Sequence, residues 1–329
     1  MESLPAPLEV RDLSTTLFTR RGEMKAVDGL SLSVRAGETV ALVGESGCGK
    51  SLSALSIMRL LPDPPARIVG GSVSLNGRDL VPLPEPAMLD IRGREIGMIF
   101  QDPMSSLNPV ATVGRQIVEV LTTHTDLDRA AARGRALELL EMVGMPDAAR
   151  RLDAYPHQLS GGMCQRVMIA MAIACHPAVL IADEPTTALD VTVQAQVLAL
   201  LTRLQAEAGM ALIFITHDLG VVAETADRVV VMYAGRKVEE AEVDDLFEAP
   251  LHPYTAGLIG ATPTPGAARA GRLADIPGMV PPLNELPAGC AFAPRCPRVM
   301  DRCRSEKPAL TEPRPGRLVA CFAAERDAA

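Results

Sequence analysis

The segment at residues 44–51 restricts the fold of this 329-residue chain more than any other feature. Its sequence, GESGCGKS, fits the pattern G-x-x-x-x-G-K-[ST] and lies between a strand-like run at 39–43 and a helix-like run at 52–61. In such a loop the glycines let backbone N–H groups close around phosphate oxygens, while the lysine reaches the β- and γ-phosphates and the serine binds Mg²⁺. The predicted phosphate-binding residues are Gly44, Glu45, Ser46, Gly47, Cys48, Gly49, Lys50 and Ser51.

Short aliphatic runs alternate with longer helical patterns up to about residue 245, as they do in repeated β-α-β units. Strands are predicted at residues 39–43, 96–100, 179–182, 211–216 and 228–233. Several of these are apolar at every position, which fits parallel strands buried on both faces. A more alternating region at 26–34 and 72–75, closed by the turn Asn76-Gly77, predicts an additional antiparallel layer.

Two regions depart from this alternation. Strand patterns stop between about residues 102 and 160, where helical patterns at 112–123 and 128–143 predict an inserted helical subdomain. Beyond residue 245, eight prolines between 250 and 287 argue against long helices and central strands. The sequence therefore predicts an α/β domain at 1–245 and a small, irregular, cysteine-rich module at 246–329.

Composition excludes some classes of function. The chain has 32 basic and 40 acidic residues, a formal net charge of −8, and only nine aromatic residues. An acidic chain is repelled by the phosphate backbone of nucleic acids, and few aromatic side chains are available to stack on bases. No nucleic-acid partner is therefore expected. The longest apolar run, at 167–175, is far shorter than the roughly 20 residues of a membrane-spanning helix. The N-terminus lacks the pattern of a secretory signal, so neither a transmembrane segment nor secretion is expected.

Two further segments carry chemistry that a phosphate loop needs. The apolar run at 178–182 ends in Asp183 and Glu184, which predicts a Mg²⁺ ligand followed by a base or water-orienting group. An Asp-Glu pair after a strand is by itself usually a solvated loop, and the phosphate loop is what favours the catalytic interpretation. In the second segment, Ser160 precedes Gly161 and Gly162 at the start of a helical pattern, which predicts a capped helix with an anion site at its N-terminus.

Over residues 8–245 the chain resembles the ATPases of ABC transporters. The matching features, in the family's order, are the phosphate loop, Gln101 after a strand, Leu-Ser-Gly-Gly at 159–162, Asp183-Glu184, Ala188-Leu189-Asp190 and His217 at the end of an apolar strand. The resemblance implies an α/β P-loop fold of ABC type that hydrolyses ATP with Mg²⁺. It also implies a head-to-tail dimer in which each ATP lies between the phosphate loop of one subunit and Ser160, Gly161 and Gly162 of the other.

The resemblance further implies individual roles. Asp183, Ser51 and Gln101 would hold Mg²⁺, Gln101 would also contact the attacking water, and Glu184 would assist hydrolysis. His217 would touch the γ-phosphate and Asp190 would bridge the dimer.

Two further positions carry expectations of their own. Phe18 is the candidate for the aromatic that stacks on adenine in this family, with packing in the core as an equal alternative. Cys164 stands where similar transporters have Arg or Lys, which is expected to weaken the contact to the opposite nucleotide without abolishing it.

Longer segments narrow the resemblance to the peptide and nickel importer branch, and within it to oligopeptide and dipeptide ATPases. They are residues 101–109, residues 183–196, and a tail that contains His252-Pro253-Tyr254-Thr255. The branch implies an energy-coupling subunit for import of di- or oligopeptides, with nickel or another small solute as the alternative. His252 and Tyr254 are interpreted as a proline-anchored packing motif rather than a site.

The partners implied by this branch are a second ATPase subunit, either a copy or a paralogue, two transmembrane permease subunits and an extracytoplasmic solute-binding protein. The implied location is the cytoplasmic face of the plasma membrane, as a peripheral protein.

Four of the seven cysteines fall in the tail, as Cys290-x₅-Cys296-x₆-Cys303-x₁₇-Cys321. Four thiolates in a short segment can hold an iron–sulfur cluster or a zinc ion, although the spacing lacks the C-x₂₋₄-C pairs usual for zinc. Related peptide-importer ATPases carry a [4Fe–4S] cluster on a similar pattern, so the cluster is the leading prediction. Zinc and free thiols remain alternatives.

Two other classes of function compete with transport. Soluble ABC proteins of DNA repair or translation typically have two ATPase units or long coiled-coil insertions and a basic face, whereas this chain has one unit and a net charge of −8. A metal-sensing regulator that binds nucleotide without turnover would be expected to lack the base, yet Glu184 is present. Both alternatives are therefore less favoured.

Overall fold

The computed structural model describes residues 6–20, 22–187, 190–262 and 276–328. The strands in these residues are β1 (Leu8–Thr19), β2 (Gly22–Val34), β3 (Thr39–Val43), β4 (Ala66–Leu75), β5 (Arg78–Asp79), β6 (Ile96–Ile99), β7 (Val179–Asp183), β8 (Ala211–Ile215), β9 (Arg228–Tyr233), β10 (Arg236–Glu242), β11 (Thr311–Arg314) and β12 (Arg317–Val319). The five strands predicted from apolar runs are confirmed as β3, β6, β7, β8 and β9, each to within one residue at either end.

The helices of the described residues are α1 (Lys50–Ile57), α2 (Glu85–Ile91), α3 (Pro103–Ser106), α4 (Val113–His124), α5 (Arg129–Met142), α6 (Ala148–Arg151), α7 (Gly161–Ile173), α8 (Val191–Ala208), α9 (Leu219–Thr225), α10 (Val243–Glu248), α11 (Pro253–Ala261), α12 (Asp301–Ser305) and α13 (Phe322–Ala328). The chain forms two compact units. Unit 1 contains residues 1–8, 34–38 and 82–214, and unit 2 contains residues 9–33, 39–81 and 215–329.

Unit 1 combines parallel strands with helices. Strand β6 pairs in parallel with β7, from Ile96 opposite Val179 to Ile99 opposite Ala182. All residues of both strands are buried, which explains why apolar side chains occupy nearly every position. Between β6 and β7 the described chain contains helices and no strand, and α4, α5 and α7 pack against one another. Asp128 caps α5 by accepting the N–H groups of Ala130 and Ala131.

In unit 2, the region predicted to form an antiparallel layer is a four-stranded sheet with strand order β2-β1-β4-β5, in which β4 and β5 are antiparallel. The turn from β4 to β5 is formed by Asn76 and Gly77, both with positive φ, as a two-residue hairpin turn requires. A second set of strands has the order β11-β12-β10-β9-β3, in which β3 and β9 are parallel and the other pairs are antiparallel.

The tail differs from the irregular module that the sequence predicts. Strand β12 pairs with β10, placing Val319 opposite Glu239, and β11 adds a further strand beside β12. Within the described residues β11 is an edge strand that pairs only with β12, a place where a proline such as Pro313 is tolerated. Parts of the proline-rich stretch, residues 263–275, lie outside the described residues. The described tail is therefore joined to the strands of unit 2, and the boundary at residue 245 stays a prediction.

Buried charge attaches the tail to β10. Glu239 is fully buried, and its two carboxylate oxygens accept the N–H groups of Leu251 and His252, at 2.8 and 2.9 Å. Arg317 of β12 approaches the same carboxylate at 3.5 Å and also donates to the carbonyl of Ala249. Because a buried carboxylate is costly unless its oxygens are paired, these contacts fix the start of α11 against β10 and β12.

The Glu239→Gln substitution should lower the free energy of unfolding by about 3 kcal/mol, because the amide has one acceptor oxygen for two buried N–H donors and no longer balances Arg317. The measurement is the denaturant midpoint of the full chain. Glu248→Gln, the same change at an exposed position at the end of α10, is the control and should shift stability by less than about 0.5 kcal/mol. Equal midpoints for the two variants would contradict this account of the tail.

Candidate functional site

The predicted phosphate loop is a tight turn in unit 2 between β3 and α1. Gly44, Gly47 and Gly49 all have positive φ, at 148°, 79° and 103°. A Cβ on Gly44 would lie 2.3 Å from the carbonyl oxygen of Met232, so no side chain fits at that position. Lys50 is buried and its Nζ donates to the carbonyl of Gly44 at 2.7 Å, which spans the loop. The loop therefore has the strand, glycines and lysine that phosphate binding needs.

Other loop residues differ in their surroundings. Ser51 lies in the first turn of α1. Cys48 is fully buried beside Lys50, and burial raises the pKa of its thiol. Ser46 is exposed. Glu45 is held from the tail: Tyr254 accepts its N–H at 2.8 Å, and Arg295 pairs with its carboxylate.

In unit 1, Asp183 is the buried last residue of β7 and Glu184 follows it with a φ of 46°. A positive φ is strained for a residue with a side chain, and such strain is typical of functional positions. One carboxylate oxygen of Glu184 accepts hydrogen bonds from Gln101 Nε2 and Thr187 Oγ1, each at 2.9 Å. The structure thus brings together Gln101 and Glu184, which are 83 residues apart.

The predicted signature segment, also in unit 1, begins a helix as expected. Ser160 caps α7 by accepting the N–H of Met163 at 3.4 Å, and Ser160 and Gly161 are exposed. A Cβ on Gly162 would lie 2.9 Å from Val193 Cγ1, whereas one on Gly161 would meet open space. The exposed N-terminus of this 13-residue helix presents N–H groups and a positive dipole end to solvent.

The side chain of Cys164 does not share the exposure of that helix end. Its side chain is fully buried and contacts the carbonyl oxygen of Pro156 at 3.6 Å, and burial raises the pKa of its thiol. In this chain, position 164 therefore packs inside unit 1. Arg166, six residues after Ser160, donates to the carbonyl of Val143 and to Gln196.

Three predicted residues lie elsewhere. Asp190 caps α8 by accepting the N–H of Val193 at 2.9 Å, while its predicted neighbours at 188 and 189 lie outside the described residues. His217 is exposed just beyond β8. Phe18 on β1 is 43% exposed, so it is not a core residue, and its ring remains accessible for stacking.

The four tail cysteines converge on one small cavity, which is also lined by His252, Phe292 and Phe322. Burial raises the pKa of Cys290, Cys296 and Cys321, and neighbouring thiols raise each of them further. The N–H of Cys290 donates to the carbonyl of Cys303 at 2.8 Å. Even so, no group of three or more His, Cys, Asp or Glu side chains within the described parts of the chain is arranged to hold a metal ion. The cysteines are gathered together, but a completed ligand set is not formed.

The motif around His252 and Tyr254 is buried, which confirms its interpretation as packing. Tyr254 packs edge-on against Tyr233 and tilted against Phe292. Burial lowers the pKa of His252 to about 3, so its ring is neutral near pH 7, and its Nδ1 accepts the N–H of Tyr254 to cap α11. The packing interpretation was incomplete, because the hydroxyl of Tyr254 also contacts the phosphate loop.

Sequence reasoning missed Thr187, Arg295 and the second contact of Tyr254. Thr187 follows Glu184 by three residues, a spacing at which a hydroxyl can reach back to a carboxylate. Arg295 and Glu45 are 250 residues apart, and no local pattern relates them.

A phosphate loop after a buried strand, together with a second buried strand that ends at a carboxylate, is typical of the P-loop nucleotide hydrolases. Comparison with known proteins gives the family. Residues 27–187 match the profile described as "ABC transporter", and residues 238–303 match "Oligopeptide/dipeptide transporter, C-terminal region".

Curated relatives match along nearly the whole chain. The oligopeptide transport ATP-binding protein AppD of Bacillus subtilis is 52% identical over 98% of this chain and 98% of its own length. The dipeptide transport ATP-binding protein DppD of Escherichia coli is 52% identical over 96% of each chain. A probable peptide ABC transporter ATP-binding protein, y4tR of Sinorhizobium fredii, is 54% identical over 96% of this chain and 94% of its own. The chain belongs to the ATP-binding proteins of ABC transporters, and it is an ATPase of that family.

Solved structures agree with this fold. The ATP-binding cassette MJ0796, in a dimeric post-hydrolysis state bound to ADP and Pi, is 28% identical, with a TM-score of 0.65 over 72% of this chain and 98% of that one. The predicted ABC-type α/β fold is thereby confirmed. In the portion of the chain that the structure describes, no helix has both the length and the apolarity needed to span a bilayer.

Proposed function

We propose that this chain is the ATP-hydrolysing subunit of an ABC importer for di- or oligopeptides. The observation that carries the proposal is the identity of 52–54% to proteins named for peptide, oligopeptide and dipeptide transport, over at least 96% of this chain. The match to the oligopeptide and dipeptide C-terminal region at 238–303 supports it, because that segment lies outside the general ABC match. Residues 1–245 then form the ATPase domain and residues 246–329 the extension of the peptide branch.

The proposed assembly has two ATPase subunits, two transmembrane permease subunits and an extracytoplasmic solute-binding protein, with this chain peripheral at the cytoplasmic face of the inner membrane. The two ATPases are proposed to close head to tail. In that arrangement Ser160, Gly161 and Gly162 contact the nucleotide of the other subunit, and Asp190 bridges the pair. The exposure of Ser160 and Gly161 at a helix N-terminus supports this role, because an anion approaching from outside meets free N–H groups there.

The residues of the phosphate loop are proposed to bind the nucleotide. Its backbone N–H groups and the Lys50 ammonium stabilise the phosphates, and the Ser51 hydroxyl is a ligand for Mg²⁺. Asp183 and Gln101 are the other proposed Mg²⁺ ligands. Bound Mg²⁺ would neutralise charge that develops on the phosphate oxygens. Exposed Phe18 supports its proposed stacking on adenine.

Glu184 is proposed to orient the attacking water and accept its proton. Two donors, Gln101 Nε2 and Thr187 Oγ1, hold one of its carboxylate oxygens and so fix the direction in which the carboxylate faces. Gln101 lies directly before the helical region of unit 1. Its hydrogen bond to Glu184 would connect the attacking water to that part of the chain. His217 is proposed to donate to the γ-phosphate.

The Glu184→Gln substitution should reduce steady-state ATP hydrolysis by at least about 100-fold, because the amide keeps the hydrogen-bonding shape but cannot accept the proton. In proteoliposomes with the permeases, ATP-driven uptake of a labelled dipeptide should disappear, while the variant accumulates as an ATP-bound dimer. Glu224→Gln, an exposed glutamate on α9, is the matched control and should keep wild-type turnover.

Wild-type hydrolysis by Glu184→Gln would refute the role of Glu184. Wild-type vesicles that accumulate nickel but no peptide would refute the proposed substrate. A chain that copurifies with no membrane protein and turns over ATP alone would instead support a soluble ABC ATPase.

We also propose that Cys290, Cys296, Cys303 and Cys321 hold a [4Fe–4S] cluster, with zinc as the alternative. Their convergence on one cavity supports this, and four thiols are the donor set of such clusters. The cluster would supply a covalent link among four positions of the tail, from Cys290 to Cys321. Because the cysteines as placed do not form a ligand set, they would have to rearrange on binding.

The Cys303→Ala substitution should remove the visible absorbance of anaerobically purified protein, reduce its iron content and lower its thermal midpoint, since one of four ligands is lost. Cys175→Ala, a cysteine of unit 1, is the control and should keep both colour and iron. Colourless wild-type protein containing one zinc and no iron would replace the cluster by zinc. Protein with neither metal would refute both.

A further inference from the structure

We infer that Arg295 and Tyr254, both from the tail, are positioning residues that hold the phosphate loop in its binding shape. Their common target is Glu45, the second residue of the loop, which Tyr254 holds by its main chain and Arg295 by its side chain. The inference rests on the proposed role of residues 44–51 in binding nucleotide. It makes the tail part of the machinery for ATP binding.

The contact between Arg295 and Glu45 has the strongest geometry available to such a pair. Nη1 lies 2.7 Å from one carboxylate oxygen and Nη2 lies 3.0 Å from the other, so the pair is bidentate. The side chain of Arg295 is only 4% exposed and that of Glu45 is 31% exposed. Such a partly buried pair is screened less by solvent than a surface ion pair.

Arg295 is itself fixed from several sides. Its Nε donates to the carbonyl of Pro277 at 2.9 Å, and Nη2 also lies 3.3 Å from the carbonyl of Ile276. Its guanidinium carbon lies 5.9 Å from the ring centres of both Tyr233 and Phe292. These contacts restrict the guanidinium of Arg295 to one position. The carboxylate of Glu45, which pairs with it, is restricted in turn.

Tyr254 restrains the main chain at the same residue. Its hydroxyl oxygen accepts the N–H of Glu45 at 2.8 Å, and its ring is buried among Tyr233 and Phe292. Burial raises the pKa of Tyr254 well above its ordinary value, so the hydroxyl remains neutral. The hydrogen bond from the N–H of Glu45 to Tyr254 therefore restrains the main chain of the phosphate loop at this residue.

The charges of Glu45 and Arg295 also affect the binding of ATP, which is an anion. A carboxylate within a phosphate loop repels an anionic ligand, and Arg295 both balances that charge and fixes its direction. Without Arg295, Glu45 would be an uncompensated negative charge within the loop. Arg295 is also the residue before Cys296, so whatever orders the cysteine segment also orders this contact.

The test is a double-mutant cycle on the full-length chain, with MgATP affinity measured by calorimetry and folding checked by the thermal midpoint. Arg295→Ala should raise the Kd for MgATP about fivefold. Glu45→Gln alone should raise the Kd about twofold, because the amide keeps one acceptor for Arg295 while the repelling charge is removed, and adding Arg295→Ala to it should add less than about twofold more. Arg295→Lys should recover part of the affinity, since it restores the charge without the bidentate geometry.

Arg314→Ala, the same change at an exposed position in β11, is the matched control and should bind MgATP like the wild type. If Arg295→Ala does not fold, Tyr254→Phe keeps the ring packing and removes only the acceptor, and should raise the Kd about twofold to threefold. Unchanged affinity in the folded variant, or an equal loss with and without the Glu45 charge, would overturn the inference.

Lys50→Ala separates this inference from the proposed function. Loss of MgATP binding in Lys50→Ala with normal binding in Arg295→Ala would refute the positioning role alone. Normal binding in Lys50→Ala would refute the nucleotide role of the loop itself.

Discussion

A phosphate loop must leave several backbone N–H groups directed at one anion, so it cannot satisfy those groups with its own chain. Such a loop is stable only if the surrounding structure holds it. In this protein the space for the loop is set by β9, where the carbonyl of Met232 leaves no room for a side chain at Gly44. Lys50 spans the loop from within, and Tyr254 and Arg295 hold Glu45 from the tail.

The tail residues that contact the phosphate loop are themselves held in place by buried charged groups. Glu239 secures the start of α11, and the same helix presents Tyr254 to the loop. The core of unit 2 includes residues of β3, β9, α11 and the segment around Phe292 in one cluster. The strand before the phosphate loop and the residues that hold the loop therefore share one hydrophobic core. In unit 1, Glu184 shows the same principle on a smaller scale, since two donors fix a carboxylate on a strained residue.

Much of this could be predicted from sequence because it depends on local patterns. Strands β3, β7 and β9 are apolar along most of their length, and the glycines of the phosphate loop and the cap at Ser160 leave signatures within a few residues. Strand β12 was missed because it is three residues long and includes the buried Arg317, which no strand pattern favours. The Arg295–Glu45 pair was missed because the two residues meet only after β3, β9 and the tail have packed together, and their types alone are typical of a solvated surface.

The phosphate loop and the tail of unit 2 are expected to behave as one unit, so that ordering the loop also orders the tail. Hydrogen–deuterium exchange of the full-length chain, with and without MgATP, tests this most directly. Nucleotide is expected to slow exchange both in the peptide covering residues 44–51 and in the peptide covering residues 289–296, and Arg295→Ala is expected to remove the second effect. Protection of the loop with no change at 289–296 in the wild type would contradict it.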